Sequence, residues 1–315
     1  MTDSSLLDVR VVAMRLEAEG IVSCELRACD GTPLPACPPG AHVDVHLPNG
    51  LTRQYSVYDG SPHSYCIAVR RDPASRGGSA YVVDTLRVGQ ALQISAPRNN
   101  FPLHAGASHS VLIAGGIGIT PLLAMARALR QQGASHVLHY LARGPQDVAF
   151  EDELRDWGDN VRIHLCANAH DGRTRLAAAL ADPAPGTHFY CCGPGAMLDE
   201  FIARTAGVDP ARVHLERFAP AAPPAAGDAF TVELARSGGS VVVPPGTSIL
   251  DVLLEAGMDV RHSCQQGICG ECEVKVLDGV PDHRDEVLTG AERAASTSMM
   301  VCCSRAKSAR LVLDL

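Results

Sequence analysis

The amino-acid sequence predicts a multidomain chain: an antiparallel β-barrel, then an α/β domain with a parallel sheet, then a small α+β domain. Three observations support this prediction. Short alternating strand patterns run to about residue 104, strand–helix alternation begins near residue 109, and a Pro/Ala-rich stretch occupies 219–228. The 315 residues are more than one core usually needs and are sufficient for two or three domains.

The first domain is predicted over residues 1–104. Five strands are expected, in the segments VRVVAMRLEAEGIVSCELRAC (two strands), PPGAHVDVHLPNG, LTRQYSVYDG and YCIAVRRD. Short strands separated by turn residues are typical of an antiparallel barrel. One helix is predicted from about Ser79 through Leu86.

The second domain is predicted over residues 105–220. Its strands are HSVLIAG, HVLHYLAR, VRIHLCA, THFYCCG and a final VHLERF, and its helices are PLLAMARALRQQG, DVAFEDELRDW, RLAAALA and AMLDEFIARTAG. Alternation of apolar strands with helices predicts a parallel sheet covered on both faces.

A linker is predicted over 221–229 because this stretch has little apolar surface to bury, and a third domain over 230–315. The third domain opens with FTVELARSGGSVVVPPGTSILDVLLEAG, which predicts a β-hairpin followed by an amphipathic helix.

Composition excludes some classes of function. The formal net charge of −8 gives no electrostatic support for nucleic-acid binding. The apolar runs are strand-sized and no basic-then-apolar leader is visible, so a cytoplasmic protein is expected. In a reducing compartment the twelve cysteines are interpreted as metal ligands or buried thiols rather than disulfides.

The strongest local signal is a cysteine array. Cys264, Cys269 and Cys272 have C-x4-C-x2-C spacing, and Cys302 follows about thirty residues later. This is the plant-type [2Fe–2S] spacing with its distant fourth ligand, and it predicts a β-grasp ferredoxin domain. We expect the loop 264–272 to be partly exposed on one side, because electrons must leave the cluster there.

The alternative interpretations are a zinc site or four buried thiols. Structural zinc sites usually have two C-x2-C-like pairs, whereas only Cys269 and Cys272 form one here. Cys303 could in principle replace Cys302, which is assigned as the ligand because it preserves the plant-type distance. Gly267 and Gly270 fit a loop whose backbone approaches a cluster closely.

A glycine turn follows the first strand of the α/β domain. Gly115, Gly116 and Gly118 precede Thr120, a favoured N-cap, and Pro121. A helix N-terminus at such a turn suits a pyrophosphate. The next strand ends in Arg143 instead of an acidic residue, which disfavours a standard Rossmann dehydrogenase.

A motif at the end of the predicted strand THFYCCG also suits cofactor binding. Cys192, Gly193 and Pro194 lie at the carboxyl end of a predicted parallel strand, where a small side chain could face a nicotinamide ring. A buried cysteine before a turn is the alternative.

In the barrel, RQYSVY places Arg53 and Tyr55 on one face of a strand and Ser56 on the other. An aromatic ring can cover a flavin and an arginine can hold its phosphate. By themselves these residues also fit an ordinary strand. The histidines, including His42 and His46, are expected to be structural, and no general base is predicted.

The order of the motifs R-x-Y-S, GGS, GGIGITP and CGP resembles the ferredoxin–NADP reductase superfamily. With a C-terminal plant-type ferredoxin domain, the chain resembles the phthalate dioxygenase reductase family, which includes vanillate O-demethylase reductases. The resemblance covers essentially the whole chain and implies a flavin barrel, an NAD(H) domain and a [2Fe–2S] domain.

The resemblance also implies roles for individual residues. The flavin positions are Arg53, Tyr55, Ser56 and Phe218, with Gly77, Gly78 and Ser79 as the FMN phosphate loop. The nicotinamide-dinucleotide positions are Gly116, Gly118, Thr120, Cys192, Gly193 and Pro194. FMN rather than FAD is implied, and NADH is the implied donor, although Arg143 leaves NADPH open because arginine can accommodate a 2′-phosphate.

The implied activity is electron transfer from NADH through FMN and the [2Fe–2S] cluster to a Rieske-type oxygenase or demethylase. The reductase is expected to be a monomer that contacts its oxygenase transiently. The alternatives are a stand-alone NAD(P)H flavin reductase or oxidase with an auxiliary ferredoxin domain, and a zinc-stabilised binding module without redox activity. A reductase of a diiron monooxygenase is disfavoured, since its ferredoxin domain usually precedes the flavin domain.

Overall fold

A computed structural model describes residues 6–75, 77–181, 183–218, 227–262, 264–265 and 267–315. The chain divides into two compact units, Met1–Glu216 and Arg217–Leu315. The first unit contains both the barrel and the parallel sheet. The predicted limits of the three domains stay predictions, and most of the predicted linker lies outside the described residues.

The barrel is closed by six antiparallel strands in the order β1-β2-β5-β4-β3-β6. These are β1 (Leu7–Ala18), β2 (Ile21–Ala28), β3 (His42–His46), β4 (Thr52–Gly60), β5 (Tyr65–Arg70) and β6 (Ala91–Ile94). The barrel is therefore confirmed, with a sixth strand of four residues that the sequence pattern did not predict. The predicted helix consists of α1 (Gly78–Ala80) and a π-helical turn over Tyr81–Thr85.

The second part of the first unit is a five-stranded parallel sheet in the order β11-β10-β7-β8-β9. Its strands are β7 (His109–Gly115), β8 (His136–Ala142), β9 (Val161–Leu165), β10 (Thr187–Cys192) and β11 (Val213–Glu216). Its helices are α2 (Ile119–Gln131), α3 (Glu151–Arg155), α4 (Ala169–Ala179) and α5 (Gly195–Thr205).

Both faces of this sheet are covered, as predicted. Leu122 on α2 packs in one apolar cluster with Leu112 and Leu138, and Leu176 and Phe201 on α4 and α5 belong to a second cluster. The helix predicted over DVAFEDELRDW is wrong in length. Phe150 has a left-handed φ of 59°, which prevents a helical start before Glu151 and leaves a helix of five residues.

The barrel and the sheet share one apolar core. Tyr58 on β4 and Ala68 on β5 lie in the same buried cluster as Leu122 and Met125 on α2. Each Å² of apolar surface that this shared core removes from water stabilises the contact between the barrel and the sheet by roughly 25 cal/mol. The barrel strand β4 is therefore fixed to the first helix of the α/β domain.

Arg127 on α2 reinforces this junction. Its guanidinium donates two hydrogen bonds to Glu153 on α3, at 2.7 and 2.6 Å, and one to the carbonyl oxygen of Tyr58 at 3.2 Å. It also lies 3.1 Å from the Asp59 carboxylate. One side chain thus joins β4, α2 and α3.

The second unit contains a mixed five-stranded sheet in the order β13-β12-β18-β14-β16 and a two-stranded sheet, β15-β17. Its elements are β12 (Phe230–Leu234), β13 (Ser240–Val243), α6 (Ile249–Glu255), β14 (Glu273–Asp278), β15 (Pro281–Asp282), α7 (Gly290–Ala295), β16 (Ser298–Met300), β17 (Arg305–Ala306) and β18 (Arg310–Leu313).

In this unit β12 pairs antiparallel with β13 and parallel with β18, so the predicted hairpin is present. Leu250 and Leu253 of α6 are fully buried in the core of the unit. The three predicted architectures, barrel, parallel sheet and β-grasp ferredoxin fold, are confirmed. Across the described ranges, none of the helices has the length and apolar character needed to cross a membrane.

We expect Arg127→Met to lower the free energy of unfolding of the first unit by about 1–3 kcal/mol, because charge-assisted hydrogen bonds to a partly buried carboxylate are lost. Urea unfolding followed by the fluorescence of Trp157, the single tryptophan of the chain, measures this. Arg155→Met is the control, since its i,i+4 pair with Glu151 is exposed and should contribute no more than about 0.5 kcal/mol. Equal losses in both variants would contradict the assignment.

Candidate functional site

The predicted flavin motif and the predicted phosphate loop lie together in the barrel. A Cβ atom on Gly78 would lie 2.6 Å from Cγ of Arg53, so the arginine side chain covers this loop. Gly77 has a φ of +93°, which a residue with a side chain rarely adopts. The Ser79 hydroxyl accepts a hydrogen bond from the backbone N–H of Asp72 at 3.1 Å.

Two polar groups on β4 are buried without partners among the described residues. These are the hydroxyls of Tyr55 and Ser56, which lie on opposite faces of the strand. Burial raises the pKa of Tyr55, so its hydroxyl stays protonated and can donate. A buried hydroxyl without a hydrogen-bond partner costs free energy, so both groups fit a site completed by a bound polar molecule such as a flavin.

The glycine turn after β7 packs directly on the loop after β10. A Cβ atom on Gly118 would lie 2.3 Å from the carbonyl oxygen of Cys192. A Cβ atom on Gly115 would lie 2.8 Å from Cδ of Pro194, and Gly193 is also close to Gly115. The two motifs predicted to bind the dinucleotide therefore form one surface at the carboxyl edge of the sheet.

The predicted N-cap of α2 is wrong. The helix is capped by Gly118 after a 3-10 turn over Gly116–Gly118, and Thr120 lies inside it, fully buried. The Thr120 hydroxyl donates to the carbonyl oxygen of Ile117 at 3.1 Å instead of capping the helix. The turn places Gly116 at a φ of +54°, so the chain enters the helix earlier than the Thr-Pro pair suggested.

Glu216 lies beside the predicted dinucleotide residues, and the sequence analysis did not single it out. It is the register partner of Cys192 across β10 and β11, and its Oε2 atom is buried without a hydrogen-bond partner in the described structure. Burial raises the pKa of Glu216 to about 8. Burial is the main cause of a raised pKa at Cys192, and the nearby Glu216 is the second cause. The pKa lies well above its usual value, so the thiol stays neutral. An acidic residue at the end of the apolar strand VHLE was the available signal.

Arg70 is a second residue that was missed. It lies at the end of β5, and its Nη1 atom would be 3.6 Å from a Cβ atom on Gly116. A guanidinium from the barrel therefore faces the glycine turn of the α/β part. The segment YCIAVRRD contained this arginine, but nothing in the barrel pattern indicated which turn it would face.

The four predicted cluster ligands are buried in the second unit. Cys264, Cys269, Cys272 and Cys302 have relative exposures of 8%, 6%, 2% and 4%. Their thiols lie close together. Side-chain hydrogen bonding links Cys269 with Cys264, and Cys302 with both Cys272 and Cys303.

These contacts shift the pKa values of Cys269, Cys272 and Cys302. The hydrogen bond to Cys264 is the main cause of the raised pKa of Cys269. The Cys302 thiol donates to the Cys272 sulfur, which lowers the pKa of Cys272, and its hydrogen bonds with Cys272 and Cys303 raise the pKa of Cys302. Four clustered thiols fit a [2Fe–2S] cluster, in which each of two irons takes two cysteine ligands. Within the described residues, no set of three or more His, Cys, Asp or Glu side chains is arranged to hold a single metal ion.

The ligand loop has the glycine geometry that was expected. Gly267 and Gly270 have φ values of +72° and +82°. A Cβ atom on Gly267 would lie 2.4 Å from the Cys303 sulfur, so Cys303 packs under the loop. Gln265 is exposed and Ile268 is half-buried, which gives the loop its partly exposed side.

The remaining predicted flavin residue, Phe218, is 37% exposed and belongs to the second unit.

The cysteines of the barrel are shielded from solvent to different degrees. Burial raises the pKa of Cys24 to about 12 and those of Cys37 and Cys66 to about 11.

Known protein families and individual proteins are similar to this chain. The model of the family described as "2Fe-2S iron-sulfur cluster binding domain" matches residues 232–307. The model described as "Dimethylamine monooxygenase subunit DmmA-like, N-terminal domain" matches residues 94–213. Among curated proteins, vanillate O-demethylase oxidoreductase of a Pseudomonas species is 47% identical over 98% of this chain and 100% of its own length.

Phthalate dioxygenase reductase of Burkholderia cepacia is 42% identical over 99% of this chain and 98% of its own length. The chain belongs to the phthalate dioxygenase reductase family. A solved structure titled phthalate dioxygenase reductase, a modular structure for electron transfer from pyridine nucleotides to [2Fe–2S], superimposes with a TM-score of 0.79. It is 41% identical and covers 99% of this chain and 98% of that one.

A phthalate dioxygenase reductase-like arrangement also occurs within a longer protein. The structure of an intact type IV self-sufficient cytochrome P450 monooxygenase matches 98% of this chain with 41% of its own length, at a TM-score of 0.84 and 39% identity. The predicted family, fold class and oxidoreductase activity with a [2Fe–2S] domain are confirmed. The assignment of individual site residues stays a prediction.

We expect Gly118→Ala to weaken NADH binding at least tenfold, because the added methyl would meet the Cys192 carbonyl and move the turn. The Kd for NADH and the content of bound flavin measure this. Gly172→Ala is the control, since a Cβ atom there meets nothing within 4 Å. Unchanged NADH affinity in Gly118→Ala would contradict the role of the turn.

We expect the free energy of unfolding to depend on pH because of Glu216. Because its folded-state pKa is raised to about 8, the folded protein binds the proton more tightly than the unfolded chain. This contribution to the free energy of unfolding is complete below the unfolded pKa near 4.5 and is lost as pH rises towards 8. In Glu216→Gln, measured without pyridine nucleotide, this part of the slope should disappear. An unchanged slope between pH 5 and 8 would show that Glu216 is not protonated.

Proposed function

We propose that this chain is the reductase component of a multicomponent Rieske-type oxygenase or O-demethylase. It passes electrons from NADH through FMN and a [2Fe–2S] cluster to the oxygenase. The observation that carries the proposal is that one chain combines four buried cysteines in plant-type spacing with a barrel whose predicted flavin strand, β4, shares an apolar core with the parallel sheet. Relatives whose names denote oxygenase reductases and demethylase oxidoreductases match nearly the whole chain and support it.

In this proposal the barrel binds FMN. Arg53 and the loop Gly77–Ser79 hold the phosphate, since a guanidinium and backbone N–H groups both suit a dianion. Tyr55 covers the ring system and donates its hydroxyl, and Ser56 supplies a second hydrogen bond from the other face of β4. A flavin held there would supply two-electron and one-electron chemistry, which would connect a two-electron donor with a one-electron cluster.

The carboxyl edge of the sheet binds the dinucleotide. Gly116 and Gly118 let the pyrophosphate approach the start of α2, and Arg70 supplies a positive charge from the barrel side. Cys192 presents a small neutral thiol to the nicotinamide, and the loop Gly193–Pro194 leaves room beside it. Glu216 lies next to Cys192 and, with its raised pKa, is mostly protonated at neutral pH, so it can donate a hydrogen bond at this edge.

The cysteines hold the cluster as two pairs, Cys264 with Cys269 and Cys272 with Cys302. Thiolates are the ligating form, so cluster assembly removes the protons that the metal-free pairs share. Cys303, packed against Gly267, is proposed as a neighbour and not a ligand. The half-exposed side of the loop at Gln265 and Ile268 is where an electron leaves for the oxygenase.

NADH is proposed as the donor. Arg143 is exposed at the carboxyl end of β8, where a ribose would lie, so discrimination against NADPH is a measurable property of this chain. A monomer in the cytoplasm is proposed, because free thiols suit a reducing compartment and the oxygenase encounter needs one accessible cluster.

The first experiment is a visible absorption spectrum of the purified protein before and after anaerobic NADH, with iron and released flavin assayed on the same sample. We expect about one FMN and two irons per chain, and bands of both cofactors that bleach with NADH. Bound flavin without iron would indicate that the protein is only a flavin reductase. A colourless protein would favour the zinc-stabilised module. Fast turnover with free flavin or oxygen, and none with an oxygenase, would favour the stand-alone reductase.

Cys269→Ser tests the order of the electron path. We expect NADH to reduce the bound flavin as in the wild type, while reduction of cytochrome c falls at least tenfold because the cluster is lost. Cys29→Ser is the control, since Cys29 is an exposed thiol of the barrel. Loss of flavin reduction in a Cys269→Ser protein that still binds flavin would contradict the serial order.

A further inference from the structure

A carboxylate is buried behind the cysteine loop of the second unit. Asp285 is 1% exposed, and its Oδ2 atom accepts hydrogen bonds from the backbone N–H groups of Val287 and Leu288, at 3.1 and 2.8 Å. Its Oδ1 atom lies 3.5 Å from the hydroxyl of Ser304. Ser304 follows directly on Cys302 and Cys303.

The segment around Asp285 is fastened to both ligand-bearing stretches. The backbone N–H of Glu286 donates to the carbonyl oxygen of Gly267 at 2.8 Å, and that of Arg284 donates to the Ser304 hydroxyl at 3.1 Å. A Cβ atom on Gly267 would lie 3.1 Å from Cα of Asp285. The carboxylate is therefore held at a fixed position between the loop 264–272 and the segment that bears the fourth ligand.

The negative charge of Asp285 is only weakly compensated. Among the described residues, its ion pairs within 4 Å involve Arg293 at 3.9 Å and His283 at 3.8 Å. Burial lowers the pKa of His283, which disfavours the cationic form of this histidine. The Arg293 guanidinium lies beyond hydrogen-bond distance of the carboxylate oxygen and donates instead to the Asp285 carbonyl oxygen.

The fold does not require a charge at this position. An asparagine side chain could accept the same two backbone hydrogen bonds, and its amide nitrogen could donate to Ser304. Keeping a carboxylate out of water is costly unless it is closely paired. A buried, poorly paired charge beside a redox centre acts on that centre, because net charge and solvent exposure set the potentials of iron–sulfur clusters.

We propose that Asp285 is a positioning and tuning residue that lowers the reduction potential of the [2Fe–2S] cluster and thereby makes the cluster a better donor to the oxygenase. The inference rests on the proposed electron relay. The one electron that enters the cluster adds negative charge near a fixed carboxylate. The reduced form is thus destabilised relative to the oxidised form, and the electron is released more readily.

The test is a redox titration of the holoprotein, monitored by electron paramagnetic resonance of the reduced cluster. In Asp285→Asn we expect the midpoint potential to move to a more positive value, so that the one-electron equilibrium with a reference dye shifts at least threefold towards the reduced cluster. The shift should persist in 0.5 M salt, because a buried charge is poorly screened. Iron content and the rate of flavin reduction by NADH should match the wild type.

Glu255→Gln is the matched control, since it removes one carboxylate charge from an exposed position at the end of α6. We expect a shift below the threefold threshold, and none in 0.5 M salt. Arg293→Gln is the second variant and leaves the carboxylate in place. It should move the potential in the opposite direction, because the cation that pairs with Asp285 is removed.

A cluster-containing Asp285→Asn protein with an unchanged potential would overturn this inference and leave the proposed relay intact. A wild-type protein that binds no cluster would instead overturn the proposed function. If Asp285→Asn does not assemble a cluster, Arg293→Gln decides, and a potential that stays in place or becomes more positive overturns the inference. Loss of the cluster in both variants would show that Asp285 serves cluster assembly, and it would overturn the proposed effect on the reduction potential.

Discussion

The packing of β4 against α2 is the constraint on which the rest of the first unit depends. β4 carries the Tyr55 and Ser56 hydroxyls, and α2 starts at the glycine turn that meets Cys192. Because Tyr58 is buried with the side chains of α2, neither motif can move without disturbing a common core. Hydride transfer needs its two reacting atoms held about 3–3.5 Å apart, and a shared core provides the stiffness for this where two loosely joined domains would not.

The sequence was most informative where one pattern has one physical solution. Period-two strands broken by turn residues have to close or pair, and buried parallel strands have to be covered by helices, so the three architectures could be predicted. The failures are local. β6 has only four residues and takes its place from the register of its neighbours, and α3 is short because Phe150 adopts a left-handed conformation that no composition rule indicates. Pairing across long sequence separations decides the position of β6, and the backbone conformation of one residue decides the start of α3.

The same distinction applies to the site. The cysteine spacing and the glycine motifs could be recognised because metal ligation and close backbone approach restrict residue type at fixed offsets. Glu216, Arg70 and Asp285 could not be recognised in this way. Each acquires its role from burial beside a residue distant in sequence, and an acidic or basic letter in a strand or loop does not reveal what will surround it. Thr120 illustrates the converse, since a good local cap residue was displaced by a tighter turn upstream.

The raised pKa values of the barrel thiols have a chemical consequence. A flavoprotein that stores reducing equivalents also reduces dioxygen as a side reaction, and peroxide then forms within reach of the protein itself. Peroxide oxidises thiolates far faster than thiols, so susceptibility follows the fraction of deprotonated sulfur. Cys24, near Tyr55, and Cys66 on the neighbouring strand remain protonated at neutral pH because burial disfavours their anions. Burial thus makes these cysteines poor targets for peroxide, whereas the exposed Cys29 thiol is accessible to it.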